Sequence, residues 1–241
     1  MVKEFGRATY GEAIGILVLD TEFPRIPGDI GNATTYTFPV KFKGVKEVYV
    51  KDIVSKKPDI SVCKHFVEAA RELEHEGVRA VTTSCGYFVY FQDEIANELN
   101  IPVFASSLIQ VPLISKMLGM KKRVGIICAN SDALTKTHLE KAGIDESMLV
   151  TVAGVDENWA EVRDKIDPME RLVGLEKALV TVAKKLVSEY SDLDAIVFEC
   201  TNLSPGAAAV QEATGLPVFD IVTLIHMVHG TVVRKRYEGH M

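Results

Sequence analysis

Two segments of the chain, 115 positions apart, share one design: an apolar, β-branched run that stops on a cysteine. The first runs Ala80-Val81-Thr82-Thr83-Ser84-Cys85-Gly86, the second Ala195-Ile196-Val197-Phe198-Glu199-Cys200-Thr201. Pro217-Val218-Phe219 likewise lies 115 residues after Pro102-Val103-Phe104, and the opening runs Ile14 to Asp20 and Val124 to Asn130 agree more loosely at an offset of 110. Matching residues at one offset through a strand, a cysteine turn, a helix and the next strand mark an internal duplication. The chain therefore reads as two α/β halves of one design.

Short β-branched runs alternate with amphipathic ones along the whole length. Strands are expected at 13–19, 47–50, 79–83, 101–104, 123–128 and 148–153. Helices are expected at 61–76, after Tyr87, at 107–118, after a cap at Ser131 or Asp132, and at 168–190. Such alternation predicts parallel sheets covered by helices. The repeat arithmetic divides the chain into a first domain of 1–115 plus 218–241 and a second of 116–217. The segment from Asp220 to Met241 is expected to return and pack on the first half. The one long stretch without periodicity, Asp20 to Phe38, is a candidate functional loop.

Composition narrows the partners. A net charge of −6, with 25% charged and 47% hydrophobic residues, argues against nucleic acid or an anionic membrane surface. No apolar run approaches the ~20 residues a membrane span needs. The N-terminal MVKEFGRATYGEA has no signal-peptide pattern, so a cytoplasmic location with reduced thiols is expected. The four cysteines (63, 85, 128, 200) form no CxxC, and HExxH, GxxxxGK and GxGxxG are missing too. Metal and nucleotide sites thus lack local signatures.

Cysteines at strand ends, before helices, sit where parallel sheets bind ligands. Backbone N–H groups there stabilise anions and are expected to lower a thiol pKa from about 8.5. The adjoining Ser84, Gly86, Thr201 and Asn202 are small or hydrogen-bonding, suited to a carboxylate. Two duplicated halves facing each other would bring Cys85 and Cys200 to one cleft, one as thiolate base and the other as thiol acid. Cys63 and Cys128 read as core residues. A disulfide between Cys85 and Cys200 is the redox alternative, disfavoured by a reducing compartment.

The "SCG" and "ECTN" segments, the 115-residue offset and the repeated "PVF" resemble the cofactor-independent aspartate/glutamate racemase superfamily. That superfamily also includes hydantoin racemases, arylmalonate decarboxylases and maleate isomerases. The resemblance implies two pseudo-symmetric Rossmann-like domains with the active site at their interface, no cofactor and no metal, and a homodimer. Carried over, Cys85 and Cys200 are the catalytic pair and Thr201 binds a substrate carboxylate. Asp20 lies where relatives place a residue assisting proton transfer, and Asn130 and Ser131 occupy the equivalent loop of the second half. Arg25 and Asn32 are candidates for a second carboxylate or ring carbonyl. Gly86-Tyr87, where amino-acid racemases carry Asn-Thr, puts a different wall beside the substrate. The implied activity is racemisation of an aspartate- or glutamate-like amino acid. The alternatives are a hydantoin racemase, a decarboxylase or cis–trans isomerase, and a non-catalytic carboxylate sensor that would tolerate serine at both cysteines.

Overall fold

The computed structural model describes residues 10–155 and 161–239. The N-terminal residues read above for a leader (1–9) lie outside the described residues, as do 240–241 of the expected C-terminal return. Among the described residues, eight strands form two parallel sheets. β1 (Ile14–Leu19), β2 (Val40–Val45), β3 (Ala80–Thr83) and β4 (Val103–Phe104) make the first, in the order β2-β1-β3-β4. β5 (Arg123–Cys128), β6 (Val150–Gly154), β7 (Leu193–Phe198) and β8 (Val218–Phe219) make the second, in the order β6-β5-β7-β8.

The repeat survives down to residue register. Ile14 of β1 pairs with Ala80 of β3, and Val124 of β5 pairs with Ala195 of β7. Val81 pairs with Val103 as Ile196 pairs with Val218. The 110 and 115 offsets therefore describe aligned neighbours in two copies of one sheet.

The helices are α1 (Val50–Ile53), α2 (Ile60–Glu76), α3 (Gln92–Ala96), α4 (Val111–Leu118), α5 (Lys136–Lys141), α6 (Pro168–Glu189), α7 (Ala207–Thr214) and α8 (Ile221–Val232). The long helix α2 follows its sequence signals: the Asp59 carboxylate caps the Ser61 N–H, and Gly77, with φ 103°, ends it. Among the described residues no helix is long and apolar enough to cross a membrane.

Four expectations need correction. The second strand is Val40–Val45, not 47–50; Glu47 takes a positive φ of 61° and Val50 opens α1. VKFKGV is an edge strand, and its lysines hide its β character. Lys41 pairs with Glu76 at 2.7 Å and Lys43 pairs with Glu72, so the charges sit on the face of α2. The segment after Cys85 is a six-residue 3₁₀ helix, Gly86–Phe91, before α3 begins. The expected helix at 107–118 opens as a separate 3₁₀ turn, Ser107–Gln110, capped by Ser106. Thr135, not Ser131 or Asp132, precedes α5, where its hydroxyl meets His138 Nδ1 at 2.8 Å.

One buried cluster runs from Leu17, Phe66 and Val81 to Val124, Ile126 and Val197, so the core is continuous across both halves. Helix α8 lies on the other face of the first sheet: Ile221, Leu224 and Ile225 cluster with Ile14, Ile16, Ala80 and Phe104. The loop 20–38 is built, not slack. Its Ile30 and Tyr36 join that cluster, and buried Asp29 accepts from the Gly31 N–H and from Asn202 Nδ2 of the second half. Replacing Ile225, which is fully buried, by alanine is expected to destabilise the protein by about 2–4 kcal/mol in urea unfolding.

Candidate active site

β3 and β7 occupy the same place in their sheets, and Cys85 and Cys200 follow them by the same number of residues. Both line one cavity with Ser84, Gly86, Tyr87, Glu199, Asn202, Ala129, Leu19 at the end of β1 and, from the first-half loop, Thr21, Phe23 and Arg25; Val50, Val54 and Arg163 close it. The seam between the halves is pinned by hydrogen bonds that cross it. Thr201 Oγ1 donates to the Ser84 carbonyl at 2.6 Å, and the Tyr87 hydroxyl to the Asn130 carbonyl at 2.5 Å. Ser107 Oγ donates to the Phe198 carbonyl, also at 2.5 Å.

The cavity is narrow, about 40 Å³, and both cysteines on its wall are half-buried. Desolvation is the largest influence on both thiols and raises their pKa values; the charge of Glu199 raises them further. The Tyr87 N–H lowers that of Cys85, and the Asn202 N–H that of Cys200, but neither prevails. The strand-end amides lower the thiol pKa values as the sequence suggested, and burial outweighs them. In the ligand-free protein both cysteines are thiols.

Glu199 is fully buried, and desolvation pushes its carboxyl up to about 8, with the approach of the Ala129 N–H offsetting part of that. Its backbone carbonyl and Oε1 lie against Gly86 so closely that a Cβ there would come within 2.1 and 2.3 Å of them. Gly86 thus has a packing reason: it makes room for Glu199. Arg25 donates to Asp29 at 3.0 Å and to Thr21 Oγ1 at 2.8 Å while stacking on the Phe23 ring at 4.2 Å. Arg163 is held by Asp164 at 2.6 Å.

A family model described as Asp/Glu/Hydantoin racemase matches residues 48–227. The chain belongs to this family. A dimethylsulfoniopropionate lyase from Durusdinium sp. clade D is 31% identical to it, over 93% of this chain and 77% of that protein. Dimethylsulfoniopropionate lyase 7 of Emiliania huxleyi (strain CCMP1516) is 29% identical over 88% of this chain, which spans 64% of that relative's length. Two solved structures share the fold at low identity. Unliganded arylmalonate decarboxylase superposes with a TM-score of 0.61 at 16% identity, covering 93% of this chain and 94% of that one. Allantoin racemase from Pseudomonas fluorescens gives 0.60 at 15%, covering 91% of each chain.

Within this family frame, the residues singled out from sequence divide in two. Cys85, Cys200, Ser84, Gly86, Tyr87, Asn202 and Arg25 line the cavity. Asp20, Asn32, Asn130, Ser131 and Thr201 do not. Asp20 is exposed. Asn32 caps a turn and donates to the Arg25 carbonyl, the Asn130 side chain caps Ala133, and Thr201 is spent on the seam. Sequence reasoning passed over Glu199, Phe23, Val50, Val54 and Arg163. Glu199 carried a readable signal: an acid closing the apolar run DAIVFEC. The others come from loops or separate elements, and only the tertiary fold brings them in. Cys63 and Cys128 are core residues, and burial pushes the Cys63 thiol up to about 11.

Two outcomes follow from this geometry. Gly86→Ala should destabilise the protein by about 3 kcal/mol in chemical unfolding, because the new methyl meets backbone as well as side chain. Alkylation of Cys85 and Cys200 by iodoacetamide should keep rising about tenfold per pH unit from pH 7 to 10. An unperturbed thiol levels off near its pKa of about 8.5. Peptide mapping by mass spectrometry reads both rates.

Proposed function

We propose that the protein removes the proton on the carbon next to a carboxylate, with a cysteine as base, and that its substrate is a β-sulfonio carboxylate of the dimethylsulfoniopropionate type. The observation that carries this is the convergence of Cys85 and Cys200 on one narrow cavity whose wall also holds Arg25 and Arg163. The guanidiniums can receive the carboxylate, and the thiols face the carbon beside it. One thiol gives its proton to solvent, the resulting thiolate takes the α-proton, the C–H electron pair becomes the new C=C bond, and the Cβ–S bond breaks with its electrons on sulfur. Dimethyl sulfide and acrylate leave, and the thiol is restored.

Three further points support this reading. Leu19, Phe23, Val50 and Val54 offer apolar surface to an S-dimethyl head group, which has no N–H to satisfy. A permanent cation brought into the cavity offsets the desolvation that holds both thiols protonated. The curated relatives cited above carry the lyase name.

A second reading, racemisation of an aspartate- or glutamate-like amino acid, is favoured by one observation. Two cysteines at equivalent strand ends suit removal of a proton from one face of a carbon and its return on the other. Incubation with dimethylsulfoniopropionate and with both enantiomers of aspartate and glutamate, in deuterium oxide, separates the two. Gas chromatography should detect dimethyl sulfide, matched by equal acrylate in the proton spectrum, and Cys85→Ser and Cys200→Ser should each lower the rate by about 10²–10⁴. Exchange of the amino-acid α-proton with no sulfide released would give the site to the racemase reading. Serine variants that turn over at the wild-type rate would remove the cysteine mechanism altogether.

A further inference from the structure

Glu199 is the one carboxyl on the cavity wall among the described residues, and neither of its oxygens completes a hydrogen bond with the protein. Its backbone is anchored: its N–H donates to the Ile127 carbonyl at 2.9 Å, and Ser107 Oγ approaches its carbonyl at 3.5 Å. A buried carboxyl left without a partner destabilises a fold even when neutral. This chain keeps one at the end of a central strand, between two cysteines, and clears the space for it with Gly86. The two cations on the cavity wall are bonded to other acids and hydroxyls: Arg25 to Asp29 and Thr21, and Arg163 to Asp164.

We propose that Glu199 is the counter-charge for a fixed cationic head group on the substrate's β-carbon, a sulfonium or quaternary ammonium, and that it gives up its proton as that cation enters. A fixed cation cannot shed its charge by deprotonation, so a narrow cavity that admits it must supply an anion. It also donates no hydrogen bond, which suits a carboxylate that the Ala129 N–H approaches but whose oxygens complete no hydrogen bond with the protein. The carboxyl is the group that yields the proton. The other titratable groups facing it are Cys85, Cys200 and Tyr87, all held more firmly protonated by the same burial. Arg25 and Arg163 keep N–H groups beyond those bonds for the substrate's carboxylate. One proton leaves Glu199 for solvent on binding, and one returns when the departing sulfide takes the cation away.

The sulfonium identity rests on the elimination reading, but the charge pairing is testable without turnover. The probes are 3-(trimethylammonio)propanoate and 4,4-dimethylpentanoate, the isostere that keeps the carboxylate but has an uncharged tert-butyl head. Both are titrated into wild type and Glu199→Gln by calorimetry at pH 7, in two buffers of different ionisation enthalpy. Wild type should prefer the cation at least about tenfold and release close to one proton with it, and none with the isostere. Glu199→Gln should lose both the preference and the proton release while binding 4,4-dimethylpentanoate as wild type does, which also shows that the variant is folded. A Glu199→Gln protein that keeps the tenfold preference, or a wild type that binds the cation without releasing a proton, overturns the proposal. If the preference holds but dimethylsulfoniopropionate yields no sulfide, the elimination reading falls and the counter-charge stands. If sulfide forms without any Glu199-dependent preference, the reverse is true.

Discussion

The seam where the two sheets end holds this molecule together and shapes its chemistry. Parallel strands that stop inside a protein leave carbonyls and amides which water cannot reach, and each must find a partner. Here each half supplies partners for the other. Thr201 reaches the Ser84 carbonyl, Ser107 the Phe198 carbonyl and Tyr87 the Asn130 carbonyl, while Asn202 reaches Asp29 of the first-half loop. These bonds draw the strand ends close enough to enclose a cavity, and the closeness makes it narrow. The position of the cysteines and their high pKa values thus have one cause.

Burial acts in two directions. It keeps both thiols and Glu199 protonated in the ligand-free protein, which is a poor state for a base. It also strengthens every charge brought in, since little water remains to screen it. In the proposed function, a zwitterionic ligand with a fixed cation would set its carboxylate against the guanidiniums, and its cation would favour ionisation of the acids around it. Catalytic readiness then belongs to the complex and not to the protein alone.

The fold does not choose among the reactions its relatives perform. Racemisation, decarboxylation and elimination at a carbon beside a carboxylate share a carbanion-like centre, and they differ in what leaves and what returns. The choice lies in the wall around that centre. In this chain that wall holds Gly86 and Glu199, which fit each other, and the apolar side chains of Leu19, Phe23, Val50 and Val54.

The duplication was fully legible in the residues, because strand-end cysteines and Pro-Val-Phe runs at one offset leave a trace that needs no folding to see. From it came the two parallel sheets, the pairing of Cys85 with Cys200 at one site, and the family. Edge strand β2 escaped notice because its alternating lysines look like solvent-facing loop until α2 supplies Glu72 and Glu76. Thr201 and Asn130 looked like ligand contacts because a polar residue after a strand reads the same whether it meets substrate or the other half. Phe23, Val50, Val54 and Arg163 carry no local mark at all, since their nearness to the cysteines arises only when distant loops close over the seam. Local pattern decided which groups are reactive in kind; the tertiary structure decided their ionisation and their neighbours, because burial and long-range proximity are properties of the folded chain.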